Sequence, residues 1–428
     1  MKKLLACMLM VFFLSPISVI STEKSISFPS TTIHQLSQNV LTSSTYFNAI
    51  PKNPNVYDEL QTYSDQSLTI PSGVLKPNDD FKINNLLLNQ NNLPIFQLAN
   101  GQFIMANKKF IYEDETTNQT NLNSWLWLQK DFTIYEEPLV KGVLPINSDL
   151  KPYSKVHVTK LSQTQHGNFY YIENKGWVSE KYLSKADNRM VKVQEMLSQK
   201  YNKENYSIFV KQLTTQTSAG INADKLMYSA SIAKLATLYY VQNKIETGKT
   251  SLNQTLKYTD QVNHFKGDYD PSGSGKLPKT SDNENYTVDD LLKAVAQHSD
   301  NVATNILGYY LANQYDRDFS TQMTAISGIN WDMEERMLSS KAAANVMESI
   351  YYQNGPIVSY LTNTDFDNQR ISKNIAVPVA HKIGDAYDYK HDVAIVYSDS
   401  PFILSIFSEN ASYDDITAIA DGIYSILK

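Results

Sequence analysis

Tyr228-Ser229-Ala230-Ser231-Ile232-Ala233-Lys234 is the stretch on which the reading of this chain turns. Serine is a weak nucleophile until a base takes its proton. On a helix, positions i and i+3 share a face, so a lysine one turn after Ser231 can reach its hydroxyl. A lysine that is desolvated and close to another cation gives up its proton and can act as that base. With Ser231 opening a helix, its own N–H can also help to form an oxyanion hole. The spacing alone says little, because S-x-x-K occurs four times, at Ser21, Ser148, Ser231 and Ser425. Partners elsewhere in the chain have to single one out.

The first partner is Ser299-Asp300-Asn301. An identical tripeptide, Ser281-Asp282-Asn283, sits in a polar loop rich in glycine and proline that begins near Gly267, and reads as a solvated turn. The later copy joins two apolar helical stretches, Val288–Val295 and Val302–Leu307. Three consecutive polar residues there need polar partners, and a cleft would supply them. The second partner is Lys382-Ile383-Gly384, the one K-x-G in the sequence, at the end of the strand-like Ala376–Ile383. A glycine on an edge strand permits close approach of another backbone or ring. The lysine adds a positive field for a carboxylate.

Taken in order, the three motifs resemble the signature of class A β-lactamases and penicillin-binding proteins. Flanking residues extend the resemblance over about 190–428: Tyr228-Ser229-Ala230 before the nucleophile, Tyr286–Leu292 before S-D-N, and His391–Val396 after K-x-G. The resemblance implies that Ser231 attacks a carbonyl and forms an acyl-enzyme, with Lys234 taking its proton. It implies that Ser299 relays a proton to the leaving nitrogen and that Asn301 binds the substrate's amide side chain. Lys382 would support the relay and attract a carboxylate, with Gly384 beside it, and the backbone N–H groups of Ser231 and Asp385 would form the oxyanion hole.

Two departures from the family pattern matter. Ile383 stands where the family carries Thr or Ser, removing one hydroxyl from the expected carboxylate site. Such a hydrogen bond contributes about 1.5–3 kcal/mol. The family's E-x-x-L-N loop, whose glutamate activates the deacylating water, is also missing. Eighty residues separate Asn301 from Lys382, and the nearest match is Glu335-Arg336-Met337-Leu338-Ser339, which abuts the helical stretch from Lys341. An acyl-enzyme formed with a β-lactam should therefore persist.

Residues 1–21 read as a signal peptide: Lys2 and Lys3 precede an apolar run from Leu4 to Ile20, with Val19 and Ser21 at the cleavage positions. An uncleaved membrane anchor is the alternative. Cys7 is the only cysteine, so a cleaved chain has no disulfide and no thiolate, which excludes a cysteine hydrolase. With 38 basic and 44 acidic residues the chain lacks the basic footprint of nucleic-acid binders. No metal or organic cofactor is implied.

Residues 22–50 are polar and aperiodic, as in a linker. A weak repeat follows, with Val56-Tyr57-Asp58-Glu59 echoed by Ile134-Tyr135-Glu136-Glu137, and Gly73-Val74-Leu75 by Gly142-Val143-Leu144. Each copy ends in a hairpin signal, Asn100-Gly101 or Lys175-Gly176 between apolar runs. Two all-β units are expected, at 51–112 and 130–185. Gly176-Trp177-Val178 followed by Tyr182-Leu183 resembles bacterial SH3-like (GW-type) wall-binding modules, implying either attachment to peptidoglycan or teichoic acid, or a spacer.

From 186 to 428 the spacing predicts helices at 186–201, 231–244, 288–295, 301–312, 341–352 and 414–427. Strands are expected at 206–213, 225–230, 376–383, 393–397 and 402–407. The expected fold is α+β: an antiparallel sheet drawn from both ends of this segment, with an all-helical insertion. The function expected from these features is a secreted, wall-associated serine hydrolase acting on peptidoglycan peptide, like a D,D-peptidase. Two alternatives stay open: a β-lactamase, and a non-catalytic wall-binding protein with a degenerate hydrolase domain.

Overall fold

A computed structural model describes residues 45–428. The expected signal segment and linker residues 22–44 lie outside the described residues. The chain divides into two compact units. Among the described residues no helix is long and apolar enough to cross a membrane.

The first unit runs through Thr120, with Tyr135–Ile146 and Leu161–Phe169. It is rich in strand. Leu60–Tyr63, Pro71–Leu75, Ile83–Leu88, Pro94–Leu98 and Phe103–Met105 make a five-stranded sheet, and Pro54–Val56 pairs with Ile111–Glu113. Val56, Phe81, Phe96, Leu98, Ile104 and Ile111 fill its core. At the Asn100-Gly101 turn, Gly101 adopts φ +85°, the left-handed conformation that lets Pro94–Leu98 return as Phe103–Met105.

The second unit comprises Asn121–Ile134, Asn147–Lys160 and Tyr170–Lys428. Its early part carries a small core of Leu126, Leu128, Val156, Val158, Ile172 and Val178. From Arg189 onward it is an antiparallel sheet with helices on both faces. The strands are β1 (Tyr206–Gln212), β2 (Ser218–Ile221), β3 (Val379–Ala386), β4 (Tyr389–Val396) and β5 (Phe402–Glu409), in the order β2-β1-β5-β4-β3. Side chains alternate between two cores, as the period of two requires. Ile208, Val210, Ala394, Val396, Leu404 and Ile406 pack with helices α1 (Arg189–Lys200) and α8 (Tyr413–Leu427). Phe209, Val393, Ile395, Ile403 and Phe407 face the helical core. That double burial explains why these strands read as continuous apolar runs.

The intervening helices are α2 (Lys234–Glu246), α3 (Val288–His298), α4 (Asn301–Tyr310), α5 (Arg317–Ser327), α6 (Ser340–Gln353) and α7 (Pro356–Leu361). α2 is buried on nearly every side over its first two turns, which makes it the centre of this half. Two expectations need correction. The strand expected over 225–230 shrinks to Met227–Tyr228, because Ala230 turns left-handed (φ +49°) and starts the next element. The helix expected from Ser231 opens instead with a 3-10 turn, Ala230–Ala233, and becomes α-helical at Lys234.

Candidate active site

Ser231 lies half-buried in that 3-10 turn, and Lys234 opens α2 with its side chain fully buried. Lys234 Nζ donates to Ser299 O (2.7 Å) and Asn301 Oδ1 (2.6 Å), and lies 3.5 Å from Ser299 Oγ. Ser231 Oγ makes no hydrogen bond among the described residues. Unliganded sites often hold such contacts long, tightening them only around a substrate.

Ser299-Asp300-Asn301 forms the corner between α3 and α4. Ser299 ends α3 in the left-handed conformation (φ +53°), and Asp300 caps α4 by accepting from Ala303 N (2.9 Å). The corner presents Ser299 Oγ to a second buried amine, Lys382 Nζ, at 2.7 Å, and Lys382 also donates to Ile383 O. Asn301 is held at both ends, since its Nδ2 donates to Asp270 O (2.7 Å). The earlier Ser281-Asp282-Asn283 copy lies outside this cluster: Asp282 accepts from Glu284 N and Tyr286 OH, and Asn283 N donates to Tyr258 O (3.0 Å).

Lys234, Ser299, Asn301 and Lys382 are thus brought together. Gly384 is close by, packed against the nucleophile's turn. A Cβ there would meet Ser229 O at 2.6 Å and Ile232 Cγ1 at 2.9 Å. The missing side chain lets edge strand β3 lie against the approach to Ser231. Asp385 is exposed, and its carboxylate is clamped by buried Arg370 (2.5 Å) and by the Tyr413 hydroxyl.

A glycine loop braces the corner. Asp300 Oδ2 accepts from Lys276 N (2.6 Å) and Leu277 N (2.8 Å), and Asn301 N donates to Ser274 O (2.9 Å). Gly275 sits at φ +118°, and a Cβ there would fall 2.2 Å from the Asp300 carboxylate. Gly275→Ala should therefore cost about 2–4 kcal/mol from backbone strain and overpacking together. Gly248→Ala, at φ +69° with open space around it, should cost only the strain. Urea unfolding of the two variants checks this, and equal losses would contradict it.

Burial pushes Lys382 down to about 7, with Asp392 opposing and Arg370 assisting. Burial and then the Lys382 charge push Lys234 well below the ordinary lysine range, against the pull of Asp300. Two amines sharing one hydroxyl titrate in two coupled steps that belong to the pair rather than to either residue. The base form is the neutral one, so acylation should climb with pH and level off well below the range in which an ordinary lysine titrates. The second-order rate of covalent labelling between pH 5 and 9 measures this, and a rate independent of pH would count against an amine base.

Several further residues surround the site. His381 is wedged between Asp392 (3.0 Å) and Asp367 (3.1 Å); burial opposes its charge, but the two carboxylates win and raise it to about 9. His391 stays neutral, pushed down to about 4 by burial. It accepts from Ser408 N, which leaves Nε2–H to donate to Tyr228 O (2.9 Å) beside the nucleophile's turn. Buried Tyr269 lies beneath Lys234, whose Nζ is 4.4 Å from the ring centre. Arg336 lies 3.7 Å from the same ring. Glu335 is exposed, and among the described residues no carboxylate bonds to Lys234 Nζ or Ser231 Oγ.

Residues 188–427 match the model of the beta-lactamase enzyme family, and residues 46–111 match a domain of unknown function, DUF5776. No curated protein matches the chain. Among solved structures, one described as PBP-A is 17% identical, covering 56% of this chain and 96% of its own at a TM-score of 0.47. A beta-lactamase from Sphaerobacter thermophilus is 15% identical, covering 56% and 95% at 0.45. An ancestral class A beta-lactamase is 16% identical, covering 55% and 98% at 0.45.

Proposed function

Since the chain belongs to the beta-lactamase enzyme family, we propose that it is a secreted acyl hydrolase acting on peptidoglycan peptide in the manner of a D,D-peptidase. Neutral Lys234 takes the Ser231 hydroxyl proton as Oγ bonds to the substrate carbonyl carbon. Backbone N–H groups of Ser231 and Asp385 hold the resulting oxyanion. The carbon–nitrogen bond then breaks, Ser299 gives its proton to the leaving nitrogen, and the adjoining amines restore that proton. Water later releases the acyl group. The observation that carries this reading is the pair of buried amines on Ser299 Oγ, 2.7 Å from Lys382 and 3.5 Å from Lys234.

Among the described residues no carboxylate bonds to Lys234 or Ser231, which favours slow deacylation, hence a trapped β-lactam rather than a hydrolysed one. The preceding strand-rich region, read as SH3-like units at 51–112 and 130–185, would hold the enzyme at the wall.

The test incubates the full chain with fluorescent penicillin, a chromogenic cephalosporin and a D-Ala-D-Ala peptide. A stable label with peptide cleavage supports the proposal. Rapid cephalosporin turnover would replace it with a β-lactamase. Inertness towards all three would leave a non-catalytic wall protein. Failure of the full chain to sediment with wall fragments removes the anchoring role.

A further inference from the structure

Resting on the acyl-hydrolase reading, we propose that Arg336, stacked on Tyr269, is a positioning residue for acylation. It sets a permanent positive charge on the ring that Lys234 Nζ also faces.

The stack is built to hold a cation in place. Tyr269 is buried, and its backbone is fixed from both sides by Asn305, which accepts from Tyr269 N (2.7 Å) and donates to Tyr269 O (2.8 Å). The guanidinium lies 3.7 Å from the ring centre and spends its donors on carbonyl oxygens: Met333 O (2.9 Å), Gly267 O (3.2 Å) and Asp268 O (2.6 Å). No salt bridge neutralises it among the described residues. Arg336 itself is left-handed (φ +51°), a costly conformation for a residue with a side chain. That turn directs Arg336 inward while Glu335 stays exposed. The same residue's carbonyl accepts from Ser229 N (2.8 Å), tying it to the nucleophile's turn.

Packing alone does not call for this arrangement, because apolar residues of similar volume usually replace buried charges without loss. A fixed cation does have a chemical consequence. Lysine near a like charge gives up its proton more easily, and the neutral amine is the base. The groups facing Lys234 are Lys382 from β3, Lys279 and Tyr269 from the glycine-rich loop, Asp300 from the α4 cap, and Arg336. Only Asp300 favours the ammonium form by its charge. Asp268, Tyr228 and Tyr315 face Arg336 from its own surroundings.

The experiment follows the Lys234 side chain directly, by 13C NMR titration of lysine-labelled full chain, with Lys234→Met identifying the resonance. The pH profile of penicillin labelling is recorded alongside. Arg336→Met should move the Lys234 midpoint up by about one pH unit, as a unit charge several ångströms away does at an effective dielectric near 20. The rising limb of labelling should move with it, and Arg336→Lys should restore both. Should Arg336→Met not fold, Arg336→Gln carries the same comparison. An unmoved midpoint in a natively melting variant overturns the proposal. If the midpoint moves but wild-type protein takes no label and cleaves no peptide, the hydrolase reading has failed, and the catalytic role of Arg336 falls with it.

Discussion

Ser231→Ala is expected to abolish covalent labelling by penicillin while leaving the fold intact. The reason lies in what the hydroxyl does not do at rest: Ser231 is half-buried, and its Oγ holds no hydrogen bond among the described residues. Removing it strands no buried partner, so stability should stay within about 0.5 kcal/mol. Chemistry has no substitute for it, because the chain's only cysteine is Cys7 and Ser299 Oγ is already held by Lys382. Intact-mass spectrometry after incubation reads the adduct, and thermal unfolding reads the fold. An adduct surviving on the alanine variant would place the nucleophile elsewhere.

Lys234→Met should slow single-turnover acylation by about 10²- to 10⁴-fold, the usual worth of a positioned base. Methionine keeps much of the volume but cannot accept a proton. Ser299 O and Asn301 Oδ1 lose their donor, at about 1–3 kcal/mol for each acceptor left unsatisfied. Part of that loss is offset, because a buried amine no longer has to be held among like charges. Lys234→Arg should be as slow as Lys234→Met, since a guanidinium stays protonated. That pairing separates loss of the base from loss of packing. A methionine variant within tenfold of wild type would pass the role to Lys382.

Much of the site was legible because its parts obey local rules. A lysine three residues after a serine, a polar tripeptide between apolar helices and a lysine before a glycine can each be found by spacing. Their convergence follows from order along the chain in a known family pattern. Central strands were legible as apolar runs because both faces of the sheet are covered. What escaped notice lies in loops, where no period applies. Tyr269 and Arg336 stand sixty-seven residues apart, and nothing local to either indicates that they stack. Gly384 packs on Ser229 O, a contact that only the tertiary structure creates. Helix α5 was missed although it carries end signals, Asp316 capping Phe319 N and Gly328 at φ +80°, and apolar Phe319, Met323 and Ile326 at helical spacing; the short α7 was missed too.

Asp300, finally, ties the start of α4 to the glycine loop through Ala303, Lys276 and Leu277. In evolutionary terms, this makes the loop's length as constrained as a reacting residue. An insertion or deletion between 273 and 277 would shift the corner that carries Ser299. Lineages that diverge in substrate while keeping this tie should therefore change length in other loops, and conserve the register of a segment that contributes no reacting atom.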